Sequence, residues 1–142
     1  MNKNKGFTLL EILIAVVIVG LLAATLLPTY QNAVSKSRRA DGRAALTDLS
    51  AKQEKFFAQN DSYSTEVEGE DGLNLARTTS LTGHYDLTVT ACAGGAISRC
   101  YLLIATARGV QTDDHACYTL MIDNVGRKTA KDYAGDAATV CW

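Results

Sequence analysis

The sequence predicts an α+β chain in which one long N-terminal helix packs on a small antiparallel sheet, with a disulfide-tied C-terminal region. Three observations predict it. The segment from Phe7 to about Leu27 is apolar enough, and close enough to 20 residues, to cross a bilayer. From Thr29 to Gln59 there is no proline and Gly42 is the only glycine, so a helix entering that stretch should continue through it. Beyond Tyr85, short β-type runs alternate with turn residues, and all four cysteines lie among them.

The apolar segment carries one residue that does not belong in hydrocarbon, Glu11. A charged carboxylate there costs about 2.5–3.5 kcal/mol on insertion scales, so the chain must supply it with a partner. Glu11 therefore predicts assembly. An ordinary secretory signal has a shorter apolar region, no internal acid and a cleavage site after that region, and Ala23-Ala24-Thr25 is a poor version of such a site. The segment reads as an anchor. Gly20 and Pro28 are its weak helix points, because glycine is a poor helix former and proline removes a backbone donor and crowds the preceding turn. A kink is expected between them.

The outer half of the helix is amphipathic. Leu46, Leu49, Gln53, Phe56 and Phe57 share one face, whereas Arg43, Asp48, Lys52 and Lys55 lie elsewhere. That stripe needs a cover. Residues 60–84 follow as a loop, punctuated by Gly69, Gly72 and Gly83 and made acidic by Glu66, Glu68, Glu70 and Asp71. The carboxylate spacing is not that of a calcium loop, so no metal is assigned. Tyr85 to Ala91, Tyr101 to Ala107 and Cys117 to Ile122 read as three antiparallel strands whose apolar face covers the helix stripe. A polar stretch to Asp136 then leads to the Cys141-Trp142 end.

Cys92, Cys100, Cys117 and Cys141 include no C-x-x-C pair, and His84 and His115 are the other soft ligands, which favours disulfides over zinc. Four cysteines permit three pairings. The local choice joins Cys92 to Cys100 and Cys117 to Cys141, and sequence alone does not decide among the three. Disulfides place the C-terminal domain in an oxidising space. Lys36, Arg38, Arg39 and Arg43 after the span oppose this on a positive-inside count, with only Lys3, Lys5 and the amino terminus before it. Those later cations sit on a helix that can hold them clear of the membrane, so the N-terminus is placed inside. Within that cluster a solvated face is expected, with lipid headgroups or a neighbour's acidic loop as alternatives. The formal charge of −1 gives no whole-chain argument for nucleic acid, and loss of residues 1–6 leaves 12 basic against 15 acidic residues.

Lys5-Gly6-Phe7-Thr8-Leu9-Leu10-Glu11 resembles the class III signal of type IV pilins and pseudopilins. The resemblance continues through Gly20, Pro28 and the helix to Gln59, and more loosely to Cys117 and Cys141; Gln53-Glu54-Lys55-Phe56-Phe57, Asn60 with Tyr63, and Cys141-Trp142 are most like a type IVa minor pilin of the PilE kind. It implies a type IV pilin fold divided as leader peptide 1–6, membrane and assembly half of the helix 7–29, amphipathic half 30–59, αβ-loop 60–84, and sheet with disulfide-bounded region 85–142. It implies that a prepilin peptidase cuts between Gly6 and Phe7 and methylates the Phe7 amine, and that Glu11 pairs with the Phe7 amine of a neighbouring subunit. The implied partners are other major and minor pilins, that peptidase, the inner-membrane assembly machinery, and the membrane before assembly. No cofactor and no nucleic acid are expected. The chain would sit in the inner membrane with its C-terminal domain in the periplasm, then in the fibre.

The function so implied is that of a non-catalytic minor pilin, incorporated into or priming a type IV pilus for motility or adhesion. A type II secretion pseudopilin or a major pilin is the near alternative. A membrane-anchored periplasmic enzyme is the remote one, using His84 or His115 with Asp86, Asp113 or Asp114, but no nucleophile or metal arrangement accompanies them.

Overall fold

A computed structural model describes residues 7–69 and 71–142, and within them the side chains of all but 26–29. Gly6, Glu70 and the ring of Pro28, all named above, lie outside the described residues. The chain divides into two compact units, one ending at Val34 and the other running from Ser35 to Trp142.

The helix α1 is continuous from Leu9 to Asn60, through Gly20. At its end Asn60 Nδ2 donates to the Phe56 carbonyl, and Asp61 turns left-handed at φ 54° while its N–H bonds the Phe57 carbonyl. That is a helix stop of the left-handed kind, made without glycine. In the first unit the described apolar side chains of α1 lie open, with Leu9 79% and Leu21 67% exposed. In the second unit Leu46, Leu49 and Gln53 are fully buried, and Phe56 packs on the core edge. The predicted stripe is the buried face.

Four strands form the sheet in the order β1-β2-β3-β4, all antiparallel: β1 Tyr85–Ala91, β2 Tyr101–Ala107, β3 Thr119–Asp123 and β4 Lys128–Lys131. The register aligns Leu87, Ala105, Leu120 and Ala130 in one row and Val89, Leu103 and Ile122 in another. All seven are buried in the cluster that also holds Leu46 and Leu49. The small side chains at Ala105 and Ala130 alternate with leucines, which lets neighbouring residues interdigitate.

Two sequence expectations need correction. The third strand begins at Thr119, because His115–Cys117 is a 3-10 turn whose Cys117 N–H bonds the Asp114 carbonyl. Three strands become four, because β4 lies in the stretch read as merely polar. Only Ala130 of its four residues is buried, so it carries almost no apolar signal. Lys128 and Lys131 flank it with charge, which discourages further strand pairing at an edge. The 60–84 loop is irregular as expected, but it is tied down: Val67 and Leu73 are buried, and isolated bridges join Glu68 to Leu75 and Thr79 to Asp86.

Candidate functional site

The first surface a partner could use is the open apolar run itself. Phe7 is 80% exposed and precedes a helix start built by Thr8 and Glu11. Glu11 N–H donates to Thr8 Oγ1 at 3.2 Å, and Thr8 N–H donates back to Glu11 Oε2 at 3.4 Å. This is a reciprocal cap in which each residue serves an otherwise unmet backbone donor. Within the chain, then, the Glu11 carboxylate has a local partner, one residue away from the Phe7 nitrogen. Among the described residues nothing covers the apolar run that follows: this part of α1 is long and apolar enough to cross a membrane and its described window is unburied.

A second constellation sits where the second unit begins. Arg39 of α1 meets Asp114 with Nε to Oδ2 at 2.6 Å and Nη2 to Oδ1 at 2.7 Å, and both side chains are largely buried. Gln111 Nε2 reaches Asp114 Oδ2 at 2.9 Å and the Tyr85 hydroxyl at 3.1 Å. Donation to the Asp114 carboxylate holds the guanidinium more firmly protonated than usual, against burial. Burial pushes the Tyr85 phenol up to about 12, although the Gln111 hydrogen bond works the other way. Arg39 was expected on a solvated face and is instead an anchor for the loop between β2 and β3. The signal that could have found it is Gly42: a Cβ there would stand 2.9 Å from the Tyr85 ring, so the lone glycine of that helical stretch marks a close approach.

Higher on α1, Gln53 uses both ends of its amide on one loop residue, donating to the Ser64 carbonyl at 2.6 Å and accepting from its N–H at 3.1 Å. Tyr101 stacks edge-on against Tyr63 and bonds Ser50 and Glu54 through its hydroxyl. Burial raises that phenol to about 12 as well. These contacts hold the αβ-loop and sheet to the helix.

The disulfides are Cys92–Cys100 and Cys117–Cys141, the local pairing. Cys117 and Cys141 are both buried. In the shorter loop Gly95 has no room for a side chain, since its Cβ would fall on the Cys100 sulfur. Past Cys141, Trp142 Nε1 donates to the Thr129 carbonyl at 2.7 Å, and Lys128 Nζ lies 5.3 Å from the indole centre. The β4 edge thus carries cations and aromatics, Lys128, Lys131 and the exposed Tyr133, and the chain end adds Trp142 to them.

The enzyme candidates do not converge. Asp114 is committed to Arg39, Asp86 faces Arg108 at 3.7 Å on the surface, Asp113 is exposed, and the His115 ring packs 5.0 Å from Tyr133. His84 contributes backbone groups to Ser80 and Arg108. Among the described residues no group of three His, Cys, Asp or Glu is placed to hold a metal.

Residues 1–27 match the prokaryotic N-terminal methylation motif, and residues 28–121 match the family described as type IV minor pilin ComP, DNA uptake sequence receptor. The chain is 34% identical over 92 residues to the type IV major pilin protein PilA of Myxococcus xanthus, covering 65% of this chain and 40% of that one. It is 36% identical over 76 residues to the type II secretion system core protein G of Vibrio cholerae, covering 51% and 50%. A solved type IV pilin from Shewanella oneidensis is similar at 23% identity and TM-score 0.49, over 76% of this chain and 97% of that one. The chain spans half or less of the length of those two curated relatives. The long helix with an open apolar start, the antiparallel sheet on its amphipathic half and the match over residues 28–121 lead to one family: the chain belongs to the type IV minor pilins.

Proposed function

We propose that the chain is a minor structural subunit of a type IV pilus. The observation that carries this is the division of α1: its inner face from Leu46 is buried by the chain's own sheet, while its apolar start is covered by nothing among the described residues and carries Glu11. Before assembly the bilayer covers that start; in the fibre, the same stretch of neighbouring pilins does. Gly6-Phe7 is the cleavage point for a prepilin peptidase, and the Phe7 amine so released is N-methylated. The freed amine is cationic, so Glu11 of a neighbour pairs with it, which offsets the burial of both charges and sets the docking register. The C-terminal domain is exported to the periplasm, where its disulfides form, and the assembly machinery draws the subunit into the fibre. Bending between Gly20 and Pro28 fits residues 7–29 into that packing.

Intact mass and N-terminal sequencing of the chain from membrane and sheared-fibre fractions test this reading. A methylated Phe7 terminus in the fibre is expected. The same terminus confined to the membrane, with secreted enzymes lost on deletion, points to a secretion pseudopilin instead, and an uncut Met1 terminus overturns both.

A second reading, DNA contact, is favoured by the family description and by the β4 edge. Cations beside stackable aromatics suit nucleic acid, and Lys128 and Lys131 supply the charge. A mobility shift of duplex DNA by the detergent-solubilised chain, weakened by salt and by Lys128→Glu with Lys131→Glu, is the expected result; no shift at low salt removes the reading.

A further inference from the structure

A polar pocket of about 390 Å³ lies where the last turns of α1 meet residues 71–74 of the αβ-loop, a volume in the range of small-molecule sites. Six polar side chains line it: Lys52, Lys55, Gln59 and Asn60 from the helix, Asp71 and Asn74 from the loop. Phe56, partly buried against the core, adds an aromatic ring. The loop wall is fixed. Leu73 N–H bonds the Glu66 carbonyl at 3.0 Å and Leu75 N–H bonds the Val67 carbonyl at 3.0 Å. A Cβ on Gly72 would stand 2.6 Å from the Glu66 oxygen, so that close approach needs glycine. Asn74 holds φ 50°, a left-handed conformation that asparagine tolerates better than most residues.

The polar heads around this pocket are mostly unengaged. Among the described residues Lys52, Lys55, Gln59, Asp71 and Asn74 make no side-chain hydrogen bond or ion pair. Elsewhere the helix uses its polar side chains to hold the same loop, with Gln53 on Ser64 and Asp41 on Thr82. Asn60 Nδ2 donates to the Phe56 carbonyl at 3.0 Å, which leaves its Oδ1 as a free acceptor. Lys52 and Lys55 stand three residues apart on one helix face, where like charges repel. With Asp71 they leave the pocket one charge positive.

We infer that this pocket binds an acidic sugar, a uronic acid unit of a polysaccharide. Each part of such a ring has a counterpart in the lining. The carboxylate takes the lysine ammonium groups in charge-assisted contacts. Ring hydroxyls both donate and accept, as do the carboxamides of Gln59 and Asn74, while Asp71 and Asn60 Oδ1 accept. The apolar C–H face of the ring packs on Phe56. A bare inorganic anion would engage the lysines and leave the carboxamides without a role, and an apolar segment would bury the lysines unpaired. Such binding is a property of the helix end and the loop, and does not depend on the pilus-subunit reading.

The test is a titration of the isotopically labelled full-length chain, in detergent micelles, with trigalacturonate, followed through the backbone N–H resonances. Saturable shifts concentrated at residues 52–60 and 71–74 are expected. Lys52→Gln with Lys55→Gln should weaken binding about tenfold or more. Asn74→Gly keeps the left-handed backbone and removes one carboxamide, so it should weaken binding about two- to tenfold. Lys36→Gln with Arg43→Gln removes the same two charges outside the pocket and should leave the affinity unchanged. Equally tight binding of the trigalacturonate methyl ester overturns recognition of the carboxylate. Equal shifts of the same residues by inorganic phosphate at the same concentration reduce the pocket to a simple anion site and overturn the sugar. Absence of saturable shifts in a chain whose spectrum shows the folded domain overturns the proposal, as does loss of binding in the Lys36 and Arg43 control.

Discussion

Arg39 and Asp114 stand 75 residues apart in sequence and meet through two hydrogen bonds of 2.6 and 2.7 Å. The pair fixes the β2–β3 loop to the helix near the start of the second unit. Both side chains are largely removed from water, so each is tolerable mainly because the other is present. Arg39→Met should therefore destabilise the domain by about 3–5 kcal/mol, because it leaves a buried carboxylate with Gln111 as its one remaining side-chain donor among the described residues. The double change Arg39→Met with Asp114→Leu should recover most of that loss. Guanidinium unfolding of the detergent-solubilised chain, followed by near-ultraviolet dichroism, checks both.

Gly42 and Tyr85 make the same region intolerant of a single carbon. Gly42→Ala adds a Cβ 2.9 Å from the Tyr85 ring, and that ring is pinned by Gln111 at its hydroxyl. Although alanine is the better helix former by about 1 kcal/mol, overpacking of a fixed core costs about 1–3 kcal/mol, so the variant should be the less stable protein. A variant more stable than the wild type would show that the ring yields.

These two cases indicate what the sequence reveals and what it hides. Periodicity exposed the stripe of Leu46, Leu49 and Gln53, and alternation exposed β1, because in both the buried positions repeat. The resemblance around Phe7 and Glu11 led to the family. The short edge strand β4 escaped because one buried alanine makes no pattern. The Arg39, Asp114, Gln111 and Tyr85 cluster escaped because its members are local in space and remote in sequence. Along the sequence Asp114 reads as a candidate catalytic carboxylate beside His115, and nothing in its neighbours says that its partner is an arginine on the helix.

Alkaline pH should weaken the fold over a defined window. Burial raises the Tyr85 and Tyr101 phenols to about 12 in the folded chain, against 10 for an ordinary tyrosine. Below pH 10 both states keep the protons and stability is unaffected. Between 10 and about 12 the unfolded chain releases protons that the folded chain retains, so stability falls as pH rises. The unfolding midpoint measured across that window should drop steeply. Tyr85→Phe should have a shallower slope there, and an unchanged slope would mean that other groups set it.

The Cys117–Cys141 bridge closes a loop over a sequence separation of 24 and is worth roughly 3 kcal/mol in the chain-entropy model. Trp142, the only tryptophan in the sequence, lies next to it and reports on it directly. Cys117→Ser with Cys141→Ser should release the tail from the Thr129 carbonyl and from Lys128, moving the indole into water. A red shift in fluorescence and early protease cleavage after Lys131 are expected, with the helix still protected. Equal resistance with and without the bridge would mean that the other tail contacts, Trp142 on the Thr129 carbonyl and the Ala138 N–H on the Ala130 carbonyl, hold the tail.

Glu11 can be serving its own helix or a neighbour, and one substitution separates the two. In the chain as described, its carboxylate accepts from Thr8 N–H and its own N–H bonds Thr8 Oγ1, a cap that needs oxygen acceptors but not a negative charge. Pairing with a neighbour's Phe7 amine needs the charge. Glu11→Gln keeps an oxygen acceptor on the side chain and removes the charge, so a capping role predicts near-normal behaviour, with at most about 1 kcal/mol lost. The charge-pair role predicts that Glu11→Gln is cleaved and exported like the wild type yet enters fibres about a hundredfold to a thousandfold less, because the neighbour's cation is left buried and unpaired at a cost of about 3–5 kcal/mol. Glu11→Ala should behave the same way. Thr8→Val loses the hydroxyl of the cap and keeps the carboxylate, so it should incorporate nearly as well as the wild type. Quantifying each variant in membrane and sheared-fibre fractions decides between them: normal incorporation of Glu11→Gln would assign the carboxylate to its own helix and leave the docking register to the apolar residues around it.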